Sequence, residues 1–78
     1  MTLTSTIAAD LIEMIPFAED DIETVRLIKT SIDHFWLSFD RGEFTHAAEF
    51  KYVATKALVT LKDYKVLAAW IPQIKQIP

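Results

Sequence analysis

The chain has 78 residues, a formal net charge of −3 and no cysteine, and 51% of its residues are hydrophobic. The lack of cysteine excludes disulfides and thiolate metal sites, and the apolar content is far above that of a disordered chain. A single domain spanning residues 1–78 must therefore be stabilised by hydrophobic burial, either within one chain or across an interface between chains.

The charges are unevenly distributed along the chain. Residues 1–39 hold seven acidic and two basic residues, whereas residues 40–78 hold four acidic and six basic residues. This asymmetry favours antiparallel docking of the two halves, within or between chains, and argues against nucleic-acid binding. The start of the chain has no basic region, and no apolar run reaches the roughly 18 residues that cross a bilayer. We therefore expect a cytoplasmic protein without membrane contact.

The first predicted helix is short. Thr4, Ser5 or Thr6 can cap it, and Pro16 disfavours helical geometry at the preceding residue, so the helix should end at Ile15. Its apolar residues recur with helical spacing and should form the core-facing side: Ile7, Leu11, Met14 and Ile15.

The second predicted helix begins at a capping box and ends near Phe39 or Asp40. Asp20 can accept a hydrogen bond from the Glu23 amide, and Glu23 can reach back. Gly42 can adopt the left-handed conformation that ends a helix. Apolar residues spaced three and four apart form a seam for a partner helix: Val25, Ile28, Ile32, Phe35 and Phe39. We expect the two phenylalanines to pack against Phe50, Ala57 and Leu61.

The third predicted helix is long, from about Thr45, its expected cap, to Trp70. It has two apolar stripes on opposite sides, whereas a surface helix needs only one. The first stripe comprises Phe50, Ala54, Ala57, Leu61, Tyr64 and Ala68, and the second comprises Tyr52, Val59, Val66 and Trp70. A break near Thr60 stays open, because Val59 and Thr60 are β-branched.

The last eight residues contain Pro72 and Pro78, and we expect them to form an extended apolar tail. Ile71, Ile74 and Ile77 are spaced by three and would align along a polyproline-II segment. The tail can cover the Trp70 region of its own chain or dock on a neighbouring molecule, and we favour docking because chain ends order poorly unless held.

These features predict an all-α fold, a small three-helix bundle of short, medium and long helices with an extended apolar tail. The predicted function is that of a regulatory, adaptor or inhibitor protein that acts by protein–protein contact as a homodimer. Tyrosine and tryptophan often dominate interface energies. The predicted partner-binding residues are Tyr52, Val59, Val66, Trp70, Ile74 and Ile77. The competing interpretation is a monomer in which the third helix lies between the second helix and the first helix plus tail.

Two other function classes have some sequence support. Glu43, His46 and Glu49 are spaced by three, so His46 and Glu49 could bind zinc or iron in a helical bundle or a metal-dependent enzyme. Lys51, Lys62 and Lys65 could form the basic face of an atypical DNA-binding regulator, although a solvated face explains them much better. No nucleophile motif or phosphate-binding loop is present in the sequence, so we expect no enzymatic activity, no catalytic residue and no cofactor.

Overall fold

The N-terminal helix begins where Ser5 caps it. The computed structural model describes residues 3–78, and in it helix α1 spans Thr6–Met14 and is followed by a 3₁₀ turn, Ile15–Phe17. The Ser5 hydroxyl accepts a hydrogen bond from the Ala8 amide at 3.2 Å. Pro16 lies in the 3₁₀ turn, as expected of a residue that stops an α-helix. The predicted core side is wrong in part, because Ala8 and Leu11 are buried while Ile7 and Met14 are exposed.

Helix α2, Asp21–Asp40, confirms the predicted caps at both ends. The Asp20 carboxylate accepts from the Glu23 amide at 2.9 Å, while Glu23 reaches back to the Glu19 amide, one residue before the usual capping-box position. At the other end Gly42 has φ +75°, the left-handed conformation that only glycine adopts at little cost. Amides of residues 42 and 43 then bond to carbonyls of residues 39 and 38, which is the Schellman pattern.

The predicted long helix is divided in two. Helix α3 spans Phe44–Leu58 and helix α4 spans Tyr64–Lys75, so the part of the chain that the structure describes has four α-helices rather than three. Helix α3 begins one residue before Thr45, and its N-cap residue, Glu43, makes no side-chain cap. Asp63 caps α4 by accepting from the Lys65 amide at 2.8 Å. The interruption at residues 59–63 divides each of the two predicted stripes between α3 and α4, and Tyr64, expected in the core, is 80% exposed.

The prediction of an extended tail is also wrong, because α4 continues through Pro72 to Lys75. A proline inside a helix costs about 3 kcal/mol. Ile74 and Ile77 are both buried in this single chain, and each fully buried isoleucine contributes about 1.5–3 kcal/mol. Burial of the two side chains therefore offsets the cost of Pro72, and the C-terminal segment packs on its own chain instead of extending away.

Helix α3 lies at the centre of the molecule and packs against α1, α2 and α4. Ala47, Ala54 and Ala57 are fully buried, which lets α2 approach α3 closely. Phe35 is 2% exposed and shares a core cluster with Phe50, as predicted, whereas Ala57 and Leu61 belong to a second cluster and Phe39 is only half-buried. This arrangement is close to the monomeric interpretation, in which the third helix is surrounded by the rest of the chain.

Candidate functional site

The six predicted partner-binding residues do not form one surface. Val59 is 70% exposed in the loop after α3, while Tyr52 on α3 and Val66 and Trp70 on α4 are half-buried. Val66 and Trp70 pack against the core cluster that contains Ile28, Ala54 and Ala57. Ile74 and Ile77 are core residues. The predicted surface assumes one continuous helix. The interruption at residues 59–63 changes the orientation of the residues that follow it, so the six side chains are separated.

The predicted metal candidates also point to different surroundings. His46 Nδ1 lies 3.8 Å from Glu43 Oε2, and both side chains are partly exposed. Glu49 is instead buried, and its carboxylate accepts hydrogen bonds from the Thr4 amide at 2.6 Å, the Ser5 amide at 3.0 Å and the Thr4 hydroxyl. Within residues 3–78, no three histidine or acidic side chains come close enough to share a metal ion.

Glu49 therefore fastens the segment before α1 to the central helix. Burial by itself raises the pKa of the Glu49 carboxyl, but the hydrogen bonds from Thr4 and Ser5 and the charge of His46 outweigh it, so the pKa lies below its ordinary value. The carboxylate also lies at the positive end of the α1 dipole. One sequence signal was available: Glu49 is an acid at a core-facing position between Ala47 and Phe50.

A second carboxylate, that of Asp21, connects α2 to the loop between α3 and α4. Asp21, at the start of α2, accepts from the Lys62 amide at 3.0 Å and the Asp63 amide at 2.8 Å. These two amides, followed by the charge of Lys62, lower the pKa of Asp21 below its ordinary value. The α3–α4 loop is therefore held at the N-terminal end of α2.

A cleft of about 610 Å³ lies between α1, the 3₁₀ turn and α2. Met14 from α1 and Phe17 from the 3₁₀ turn line it and are strongly exposed, at 52% and 81%. Ala18 and the nearly buried Leu27 of α2 complete its apolar lining. Two large apolar side chains are thus held in water beside a cavity, where they can bury surface on a ligand but bury little on their own chain.

The charged residues of this cleft are mostly acidic. Asp10 and Glu13 on α1 and Glu23 and Arg26 on α2 line the cleft, so its lining has three carboxylates and one guanidinium, and the Glu23 carboxylate also accepts from the Glu19 amide. Among the residues that the structure describes, Asp10 and Glu13 form no salt bridge. Their charges are therefore available to a ligand.

The local sequence explains why Phe17 is exposed. Pro16 stops α1, and the 3₁₀ turn closes with the Ala18 amide bonded to the Ile15 carbonyl at 3.2 Å. Asp20, three residues after Phe17, already caps α2, so this connection is too short to fold Phe17 back into the core. Sequence reasoning missed Phe17 because the residue belongs to neither helical repeat. Its position after a helix-ending proline was the available signal.

The comparisons with known proteins add no relative. No protein-family model, no curated protein and no solved structure matches this chain.

Two further expectations concern a basic face for DNA and contact with a membrane. Lys51 lies on α3, Lys62 in the following loop and Lys65 on α4, so the proposed basic face is not carried by one helix. None of the helices in residues 3–78 is long and apolar enough to span a membrane.

Proposed function

We propose that this protein is a small regulatory or adaptor protein that binds another protein through the cleft between α1 and α2. The observation that carries the proposal is the pairing of Phe17, 81% exposed, with a cavity of about 610 Å³. Aromatic residues beside a pocket are typical anchors of protein interfaces. The protein could equally be an inhibitor, which would bind its target through the same cleft and block a surface of that target. The proposed compartment is the cytoplasm, on the sequence grounds given above.

A binding role rather than a catalytic one is supported by the use that the fold makes of its buried polar side chains. The Ser31 hydroxyl donates to the Leu27 carbonyl at 2.7 Å, and the Ser5 hydroxyl caps α1. Glu49, the candidate metal ligand, is engaged by Thr4 and Ser5. In the described part of the chain, no buried side-chain nitrogen or oxygen lacks a hydrogen-bond partner. These groups therefore stabilise the fold.

We also propose that the protein self-associates, through the end of the bundle where the α3–α4 loop meets α2. Ile22, Val59 and Tyr64 are 66%, 70% and 80% exposed there. Asp20 and Lys62 line a shallow cleft at the same end. A two-fold contact brings the same patch of both chains together, and this end of the bundle offers apolar side chains and charges of both signs for such a contact.

Light scattering behind a sizing column tests self-association. We expect a dimeric mass at tens of micromolar protein, converted to a monomeric mass by Val59→Glu. Ala48→Glu, an exposed change at the other end of α3, serves as the control and should leave the dimer intact. A monomeric mass for the unaltered chain would contradict this proposal and leave the cleft proposal standing.

Photo-cross-linking tests the proposed function itself. A photoreactive phenylalanine analogue placed at Phe17 should give a cross-linked species of discrete mass in the cells that produce the protein. The same analogue at Phe44, an exposed aromatic at the α2–α3 turn, is the matched control and should not give that species. Absence of a discrete product at Phe17, or the same product at both positions, would contradict binding through the cleft.

A further inference from the structure

We infer that the occupant of the cleft between α1 and α2 is a basic amphipathic α-helix of the partner protein. This inference rests on the proposed function and specifies the chemistry of the partner.

The first reason is charge. Asp10, Glu13 and Glu23 outnumber Arg26 among the residues that line the cleft, and Glu19 and Asp20 lie between the 3₁₀ turn and α2. A cationic ligand is attracted to such a rim, whereas anionic lipid and nucleic acid are repelled by it. Lysine or arginine side chains beside the apolar contact would therefore strengthen binding and accelerate encounter.

The second reason is the shape of the walls. The cleft is formed by two helices and a helical turn, and residues 3–78 contain no strand. An extended peptide would find no sheet edge with free amides and carbonyls to pair with. A helix can instead place a ridge of apolar side chains into the groove between two helices, against Met14, Phe17 and Leu27.

A second copy of this chain does not supply such a helix. Helix α4 carries lysines, but its apolar residues Val66, Trp70 and Ile74 pack on their own core. Filling the cleft with α4 would require that core to open. The occupant is therefore expected to come from a different protein.

A labelled synthetic helix tests the inference by fluorescence anisotropy with the full chain. The probe is a peptide of about 14 residues made of leucine and lysine, with leucines spaced three and four residues apart so that they form one stripe. One control peptide has the same composition in strict alternation, which has no helical stripe. A second control replaces every lysine with glutamate. We expect saturable binding of the basic helix alone, weakened by added salt.

Variants locate the binding site. Asp10→Lys combined with Glu13→Lys, both exposed changes, should weaken binding of the basic helix by about tenfold or more, since like charges then face each other. Asp33→Lys combined with Asp40→Lys changes the net charge equally but lies about 10 and 21 Å along α2 from Arg26, and should have little effect. Phe17→Ser should abolish binding without changing the charge. Circular dichroism confirms that each variant is folded.

Three outcomes would overturn the inference: equal binding of either control peptide, full affinity in the Asp10 and Glu13 double variant, or Phe17-dependent binding to anionic phospholipid vesicles. Cross-links at Phe17 that join two identical chains would overturn it as well. If Phe17 captures a different protein in cells while the basic helix does not bind, the proposed function stands and only the inferred occupant is wrong.

Discussion

Helix α2 has two sides that differ in how completely the fold covers them. Its α3-facing side is filled by Phe35 and closed by the buried alanines of α3. Its α1-facing side leaves a cleft of about 610 Å³, with Phe17 beside it in water. The same residue type therefore serves two purposes: Phe35 stabilises the fold, and Phe17 is available to a ligand. The short connection after Pro16 prevents the α1-facing side of α2 from being covered by the chain itself.

The largest expected effect is on the closed side. Phe35→Ala should destabilise the protein by about 3–5 kcal/mol, because it removes a buried aromatic ring and leaves a cavity. For a domain this small, that is most of the folding free energy. Urea denaturation followed by circular dichroism measures it. A loss below about 1 kcal/mol would show that the α2–α3 contact is not the main core.

Ile77→Ala should cost about 2 kcal/mol, the lower end of the range for a buried isoleucine, because a chain end can partly relax into the space. The same denaturation measurement applies, with Ile7→Ala as an exposed control that should change little. Equal stability of the two variants would mean that the C-terminal segment does not contribute to the core in solution.

Glu49→Gln should cost about 1–3 kcal/mol at neutral pH, since the Thr4 and Ser5 donors lose a charged acceptor. The folded protein holds the pKa of Glu49 below its ordinary value, so it binds this proton less readily than the unfolded chain. The contribution of Glu49 is present above the pKa of the unfolded chain and disappears as pH falls through the lower pKa of the folded protein. Asp21 acts in the same direction.

The measurement is the free energy of unfolding at pH 7 and at pH 3. Stability of the unaltered chain should fall on acidification, and Glu49→Gln should show a smaller fall. Parallel pH profiles for the two chains would contradict the assigned role of the Glu49 carboxylate.

The smallest expected effect on stability lies on the open side. Phe17→Ser should change the free energy of unfolding by no more than about 0.5 kcal/mol, because an exposed side chain buries little surface. A loss near that of Phe35→Ala would place Phe17 in the core and remove the contrast between the two sides of α2.

The sequence predicts those parts of the fold that depend on neighbouring residues. Asp20 with Glu23, Pro16 and Gly42 define the ends of α1 and α2, and helical spacing correctly places Phe35 in the core. The sequence left a break near Thr60 open but could not decide it, because the interruption after Leu58 depends on Asp21, about forty residues away, bonding to the Lys62 and Asp63 amides. Pro72 led to the wrong prediction of an extended tail, because burial of Ile74 and Ile77 outweighs the preference of proline against a helix interior.

The candidate site was less predictable than the fold. Phe17 and Met14 become a site only through the cleft between α1, the 3₁₀ turn and α2, and no local pattern encodes how these elements pack. Glu49 was identified as a candidate ligand from its spacing to His46. Its partners are residues 4 and 5, which the spacing cannot reveal.

The most direct test of the central claim measures stability and binding on the same chains. A photoreactive residue is placed at Met14, inside the cleft, with either phenylalanine or serine at position 17. We expect equal unfolding midpoints for the two chains and loss of the cross-linked partner in Phe17→Ser. Undiminished cross-linking with serine at position 17, or a loss that merely follows a lowered unfolding midpoint, would contradict the claim that the open side of α2 is a binding site.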